Sequence, residues 1–187
     1  EELVKALLGE DKGVRWGAAQ ILSYLAQEMP ESVAPYADRL AEALSDEDEA
    51  TRQWAVEALT CLAVLSGTKP GLGELLSHPD EEVRRRVAGT LAYLPRNASL
   101  PVLALTAAGA DPAARRRALE LLGEMGCDTS PESLGRLCEV RGAVLLEFGD
   151  AQLARRYLKT ARSYYLEAGD SESAERVSSL LGKALGG

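Results

Sequence analysis

The chain has 187 residues, 46% apolar and 27% charged, with a formal net charge of −8 at pH 7; that suffices for a sizeable core in one domain or two small ones. No apolar run approaches the 18 or more residues of a membrane span, and the opening EELVKALLGE lacks the basic start and apolar middle of a secretion signal. Cys61, Cys127 and Cys138 are odd in number and lack the CxxC spacing of zinc or redox sites, so a reducing cytoplasm is the expected compartment. Sixteen arginines against five lysines, with Asn97 the only asparagine, suit a heat-loving source. The acidity is uneven: residues 1–128 hold 13 Lys and Arg against 21 Asp and Glu, whereas residues 129–187 hold 8 against 8. An acidic balance repels nucleic acid and anionic membranes at long range, while leaving room for a local basic patch.

In chain order the first 128 residues repeat. The element Asp-x-x-x-Arg recurs as DKGVR (Asp11, Arg15), DEATR (Asp48, Arg52), DEEVR (Asp80, Arg84) and DPAAR (Asp111, Arg115), the arginines 37, 32 and 31 residues apart. Three residues after each arginine stand Ala18, Ala55, Val87 and Ala118; seven after stand Leu22, Leu59, Leu91 and Leu122. These positions share one side of a 3.6-residue helix. Leucine also stands eight residues before every aspartate, at Leu3, Leu40, Leu72 and Leu103. Each unit is therefore expected to be helix, tight turn, helix, with the aspartate capping the second helix and Pro112 at its first position in the fourth unit. When such units stack, the aspartates and arginines are expected to form parallel ladders of caps and inter-repeat hydrogen bonds.

This pattern resembles HEAT repeats, whose turn carries Asp before Val-Arg at the start of the second helix. The resemblance covers about two thirds of the chain, as four units over residues 1–128. It implies an all-α, right-handed superhelix of stacked helical hairpins, armadillo-like in shape, with about eleven helices and no sheet. The first and fourth units depart from the pattern, by Gly13-Val14 after the turn and by the alanine-rich helix LALTAAGA; end units packed on one side tolerate such departures.

HPDEEVRRR, His78 to Arg86, invites a catalytic or metal-binding reading, but His78 is the only histidine and no cysteine stands near it in sequence. It is expected to be a turn residue, and no metal, cofactor or catalytic residue is assigned. Deoxyhypusine hydroxylases resemble HEAT dyads with paired His-Glu motifs for a di-iron centre; one histidine excludes that activity. SGTKPGLGELL lacks the spacing of a phosphate loop or a dinucleotide fingerprint. It is expected to link the second and third units, with Pro70 and Gly71 setting the turn and Leu72 opening the next helix.

After MGCDTSPES the register changes, and residues 129–187 are expected to hold three helices near 132–148, 151–168 and 171–185, with turns at Gly149-Asp150 and Gly169-Asp170. Gly142, Gly149, Ala154 and Ala161 fall where this segment resembles a tetratricopeptide unit, whose small residues let two helices cross closely, followed by a solvating helix. One further HEAT-like unit plus an end helix is the alternative.

With no catalytic constellation, function is expected from a surface. In HEAT-like stacks the second helices line the concave side. The stripe one, five and nine residues after the repeat arginine reads Trp16-Gln20-Tyr24, Gln53-Glu57-Cys61, Arg85-Gly89-Tyr93 and Arg116-Glu120-Glu124, and the next position adds Trp54, Arg86 and Arg117. Aromatics and arginine dominate binding energy at protein interfaces. The expected partner-binding residues are Trp16, Gln20, Tyr24, Gln53, Trp54, Glu57, Arg85, Arg86, Tyr93, Arg116 and Arg117, in a non-enzymatic scaffold holding a protein segment, an acidic one if the arginines lead. Two alternatives stand beside it. One is a nucleic-acid binder similar to HEAT-like alkylpurine DNA glycosylases, against which the net charge counts. The other is a tetrapyrrole-handling protein similar to bilin lyases with short HEAT-like repeats.

Overall fold

A computed structural model describes residues 1–68 and 70–185; Lys69, in the expected linker between the second and third units, lies outside them. The described residues are all-α, built largely of helical hairpins, with no strand among them. The packing divides into two compact units, Glu1–Ala98 and Ser99–Gly187. Their boundary falls inside one helix, whereas the sequence register changes later, at 128/129.

The first unit holds three hairpins. α1 (Glu2–Leu7) turns into α2 (Lys12–Glu28), a broken run leads to α5 (Glu49–Leu65), and α6 (Leu72–Leu76) turns into α7 (Glu81–Tyr93). The broken run is α3 (Pro30–Val33), a 3-10 turn at Ala34–Tyr36, α4 (Ala37–Glu42) and a second 3-10 turn at Ala43–Ser45. Pro30 at the first turn of α3 and Pro35 within the 3-10 turn carry no N–H and fix their backbone, so one long first helix cannot form. This break splits the first helix of the second hairpin into short pieces. Leu40, Leu59, Leu62, Leu75, Leu76 and Leu91 are at most 1% exposed and form the core; each such leucine contributes about 1.5–3 kcal/mol of transfer free energy.

The aspartates do what the spacing predicts. Asp11 accepts from the N–H of Val14, Asp48 from Thr51, Asp80 from Glu82, and Asp111 from Ala113 and Ala114, each satisfying donors that the helix start leaves open. The arginines depart from the ladder expectation. Arg52 donates to the carbonyls of Asp46 and Glu47, Arg84 to those of His78 and Pro79, and Arg115 to that of Gly109. A guanidinium one turn into the second helix thus reaches back five or six residues and ties the hairpin to itself. Of these four arginines Arg15 also crosses to the next hairpin, pairing with Asp46 at 2.8 Å and Glu47 at 2.9 Å as well as with the carbonyl of Glu10.

α8 (Arg96–Ala107) contains the unit boundary. In the second unit follow α9 (Pro112–Glu124), α10 (Pro131–Glu147), α11 (Ala151–Glu167) and α12 (Ser171–Leu185). The last three match the expected bounds to within a residue or two. Gly149 and Gly169 adopt φ of 82° and 77°, the left-handed cap that lets the amides of Asp150 and Asp170 return to the carbonyls of Leu145 and Tyr165. Each of those aspartates then caps the next helix, at Leu153 and Ser173. α10 packs closely on α11 and α11 on α12. Tyr164 donates to the carbonyl of Ala104 at 2.9 Å, tying α11 to the second half of α8.

Candidate interaction surface

The second helices of the first unit carry the predicted stripe outward. Within it Trp16 is 42% exposed, Tyr24 54% and Tyr93 92%, while Gln20, Gln53, Trp54 and Glu57 are half-buried. Arg85 is exposed and Arg86 half-buried. α2 packs along α5, and this brings the Tyr24 and Trp54 rings together with centroids 5.8 Å apart and planes inclined by 46°. Beside them, the side chain of Gln27 donates to Glu57 at 3.2 Å. At the other end Trp16, Lys12, Gly13, Asp48 and Ala50 bound an open cleft of about 350 Å³. Ala50 and Trp54 are one turn apart on α5, so cleft and ring pair are continuous along the helix.

One member of the stripe does not face out. Cys61 is fully buried, because α5 is flanked by both α2 and α7 and buries positions that an end helix exposes. Burial, helped by the charge of Glu57, pushes its thiol up to about 12, and burial pushes that of Cys138 up to about 12 as well. Neither is a thiolate near neutral pH, the form a nucleophile or a metal ligand requires. All three cysteines are thiols, and among the described residues no group of three or more His, Cys, Asp or Glu is placed to hold a metal ion. His78 is a turn residue, its Nδ1 accepting from the amide of Asp80 at 3.2 Å.

The arginines are engaged locally. Arg85 makes a two-pronged pair with Glu82 at 2.7 and 2.9 Å. Arg86 donates to the side-chain carbonyl of Gln53, whose amide donates to Glu49 at 2.9 Å. In the second unit Arg116 is exposed, while Arg117 is half-buried and pairs with Glu120 at 3.0 Å and Glu124 at 3.2 Å. Lys12 and the largely buried cap Asp48, 3.1 Å apart in the cleft, lie outside the predicted stripe. Counting from the repeat arginine begins the stripe after the capping turn, and both lie before it. Asp48 also holds its carboxyl below the ordinary aspartate range, through the Thr51 amide first and Lys12 second.

Residues 69–144 match the family model described as HEAT repeats. That segment covers α6 to α9 and most of α10. No curated protein matches the chain. One similar solved structure is an engineered protein determined by the Northeast Structural Genomics Consortium, 21% identical over 98% of this chain and 94% of that chain, with a TM-score of 0.38. Among the described residues no helix is long and apolar enough to cross a membrane.

Proposed function

We propose that the chain is a non-catalytic interaction scaffold that holds a segment of a partner protein on the outward stripe of its second helices. HEAT repeats serve protein–protein contact in general, and the observation that carries the reading here is the open run of Trp16, Gln20, Tyr24 and Trp54, continued on α7 by Tyr93. A soluble surface that leaves two tryptophans and two tyrosines at least partly open, with an indole–phenol pair among them, holds the side chains that supply most interface energy. Arg85 and Arg86 extend this surface; the second unit, taken by itself, carries Arg116 and Arg117 on α9. The acidic-segment form of the reading rests on those four arginines, three of which already hold a side-chain acceptor within their own unit. Nothing specific favours the glycosylase-like or bilin-lyase-like alternatives, and the net charge of −8 opposes the first.

The test is site-specific photo-crosslinking in native extract, with benzoylphenylalanine at Gln20 and, as control, at the exposed Ser179 of α12. A protein captured from position 20, absent from position 179 and lost when Trp16→Ala and Tyr93→Ala are added, is the expected result. Equal capture from both positions, or capture unaffected by the two substitutions, would overturn it.

A further inference from the structure

The first unit is not only aromatic on this stripe; it is also the acidic part of the molecule. Residues 1–98 hold 10 Lys and Arg against 17 Asp and Glu, a net of −7, whereas residues 99–187 hold 11 against 12. Carboxylates border both ends of the aromatic run. Asp48 lies in the cleft with Trp16, and Glu57 follows Trp54 by three residues, on the same side of α5. Glu47, which precedes the cleft residue Asp48, has a side chain 80% exposed. Indole and phenol faces are electron-rich and attract cations, and the attraction grows when carboxylates stand beside them.

We propose that this surface takes a basic segment of a partner protein, with arginine or lysine side chains laid on the Trp16 and Tyr24–Trp54 rings and paired with the carboxylates of Asp48 and Glu57. The proposal rests on the docking reading above and names its partner's chemistry. Charge complementarity selects this occupant: an acidic segment would meet a net of −7, and a neutral apolar one would leave the bordering carboxylates desolvated without a counter-charge. Lys12 already supplies one cation to the cleft, 3.1 Å from Asp48, on a side chain 68% exposed and free to swing away. An incoming guanidinium replaces it, adding the planar stacking on indole that an ammonium lacks.

The test uses the full chain and three capped peptides of equal length, (Gly-Arg)4, (Gly-Glu)4 and (Gly-Asn)4. The chain's two tryptophans both lie on this surface, so intrinsic tryptophan fluorescence reports it alone. The (Gly-Arg)4 peptide should change the emission saturably and lose affinity with salt, because exposed charge pairs are screened within about 8 Å at physiological ionic strength. Trp16→Ala should weaken binding about twofold to fivefold. Lys12→Ala should tighten it, by about threefold, by releasing Asp48 and removing a like charge; Lys159→Ala, the same charge change in the other unit, should leave it unaltered. Circular dichroism melting confirms that each variant is folded, and both Trp16 and Lys12 are exposed enough to replace without disturbing the core.

Binding of (Gly-Glu)4 or (Gly-Asn)4 in place of the basic peptide, or weaker binding by Lys12→Ala, overturns the basic partner and leaves the docking surface standing. Silence from all three peptides up to about 1 mM, a concentration that detects even interactions of about 4 kcal/mol, also overturns it, and the fate of the docking surface is then read from the crosslinking at Gln20.

Discussion

Gly142 on α10 faces Leu158 on α11 so closely that a Cβ on the glycine would lie 2.7 Å from the leucine Cγ and 2.8 Å from its Cδ2. Leu158 is fully buried, and Cγ is its branch point, so it cannot step aside. Gly142→Ala should therefore lower stability by about 1–3 kcal/mol through overpacking, even though alanine is the better helix former. Gly89, mid-helix in α7, has nothing within 4 Å of its would-be Cβ. There the same substitution should raise stability by about 0.5–1 kcal/mol. Thermal melts of the two variants should move in opposite directions, and a shared direction would show that helix propensity, not the α10–α11 crossing, decides both.

That crossing was legible in the sequence because small residues at Gly142, Ala154 and Ala161 are a local pattern, and so were the caps, since an N-cap involves residues only two or three apart. What depends on neighbours in space was not. Cys61 has the same register as the exposed Tyr24, yet it is buried because α5 has a packed helix on either side. Register put Tyr24 and Trp54 on adjacent rungs, but the approach of their rings follows from how α2 lies along α5. The i,i+3 pair of Glu82 with Arg85 could be read from spacing alone, whereas that of Gln53 with Arg86, 33 residues apart, could not.

Asp80 caps α7 through the amide of Glu82 at 2.9 Å. Replacing it with alanine should cost about 1 kcal/mol, which for a chain of this length lowers the melting temperature by about 2–4 °C. Asp80→Asn keeps an acceptor oxygen and should recover most of the loss. Asp80 lies outside the aromatic run, so peptide binding to Trp16 should be unchanged. If melting held while binding fell, Asp80 would be a contact residue instead of a cap.

Glu139 accepts from the hydroxyl of Tyr165 at 2.6 Å and from Arg176 at 2.8 and 2.9 Å, gathering α10, α11 and α12 at one carboxylate. The Arg176 guanidinium, assisted by that hydroxyl against the opposing effect of partial burial, holds the carboxyl below the ordinary glutamate range. A carboxylate whose folded pKa is depressed contributes stability that is complete above the unfolded value, about 4.3, and is lost as pH falls through the folded value. The melting temperature of the wild type should therefore exceed that of Glu139→Gln near neutral pH, with the gap closing below about pH 4. Tyr164→Phe, which removes only the buried bond to the Ala104 carbonyl, should cost about 1 kcal/mol. Because burial raises the Tyr164 hydroxyl further above its ordinary range, that cost should be the same at both pH values. A Glu139→Gln gap that stayed constant with pH would mean that the three-helix junction is held by packing alone.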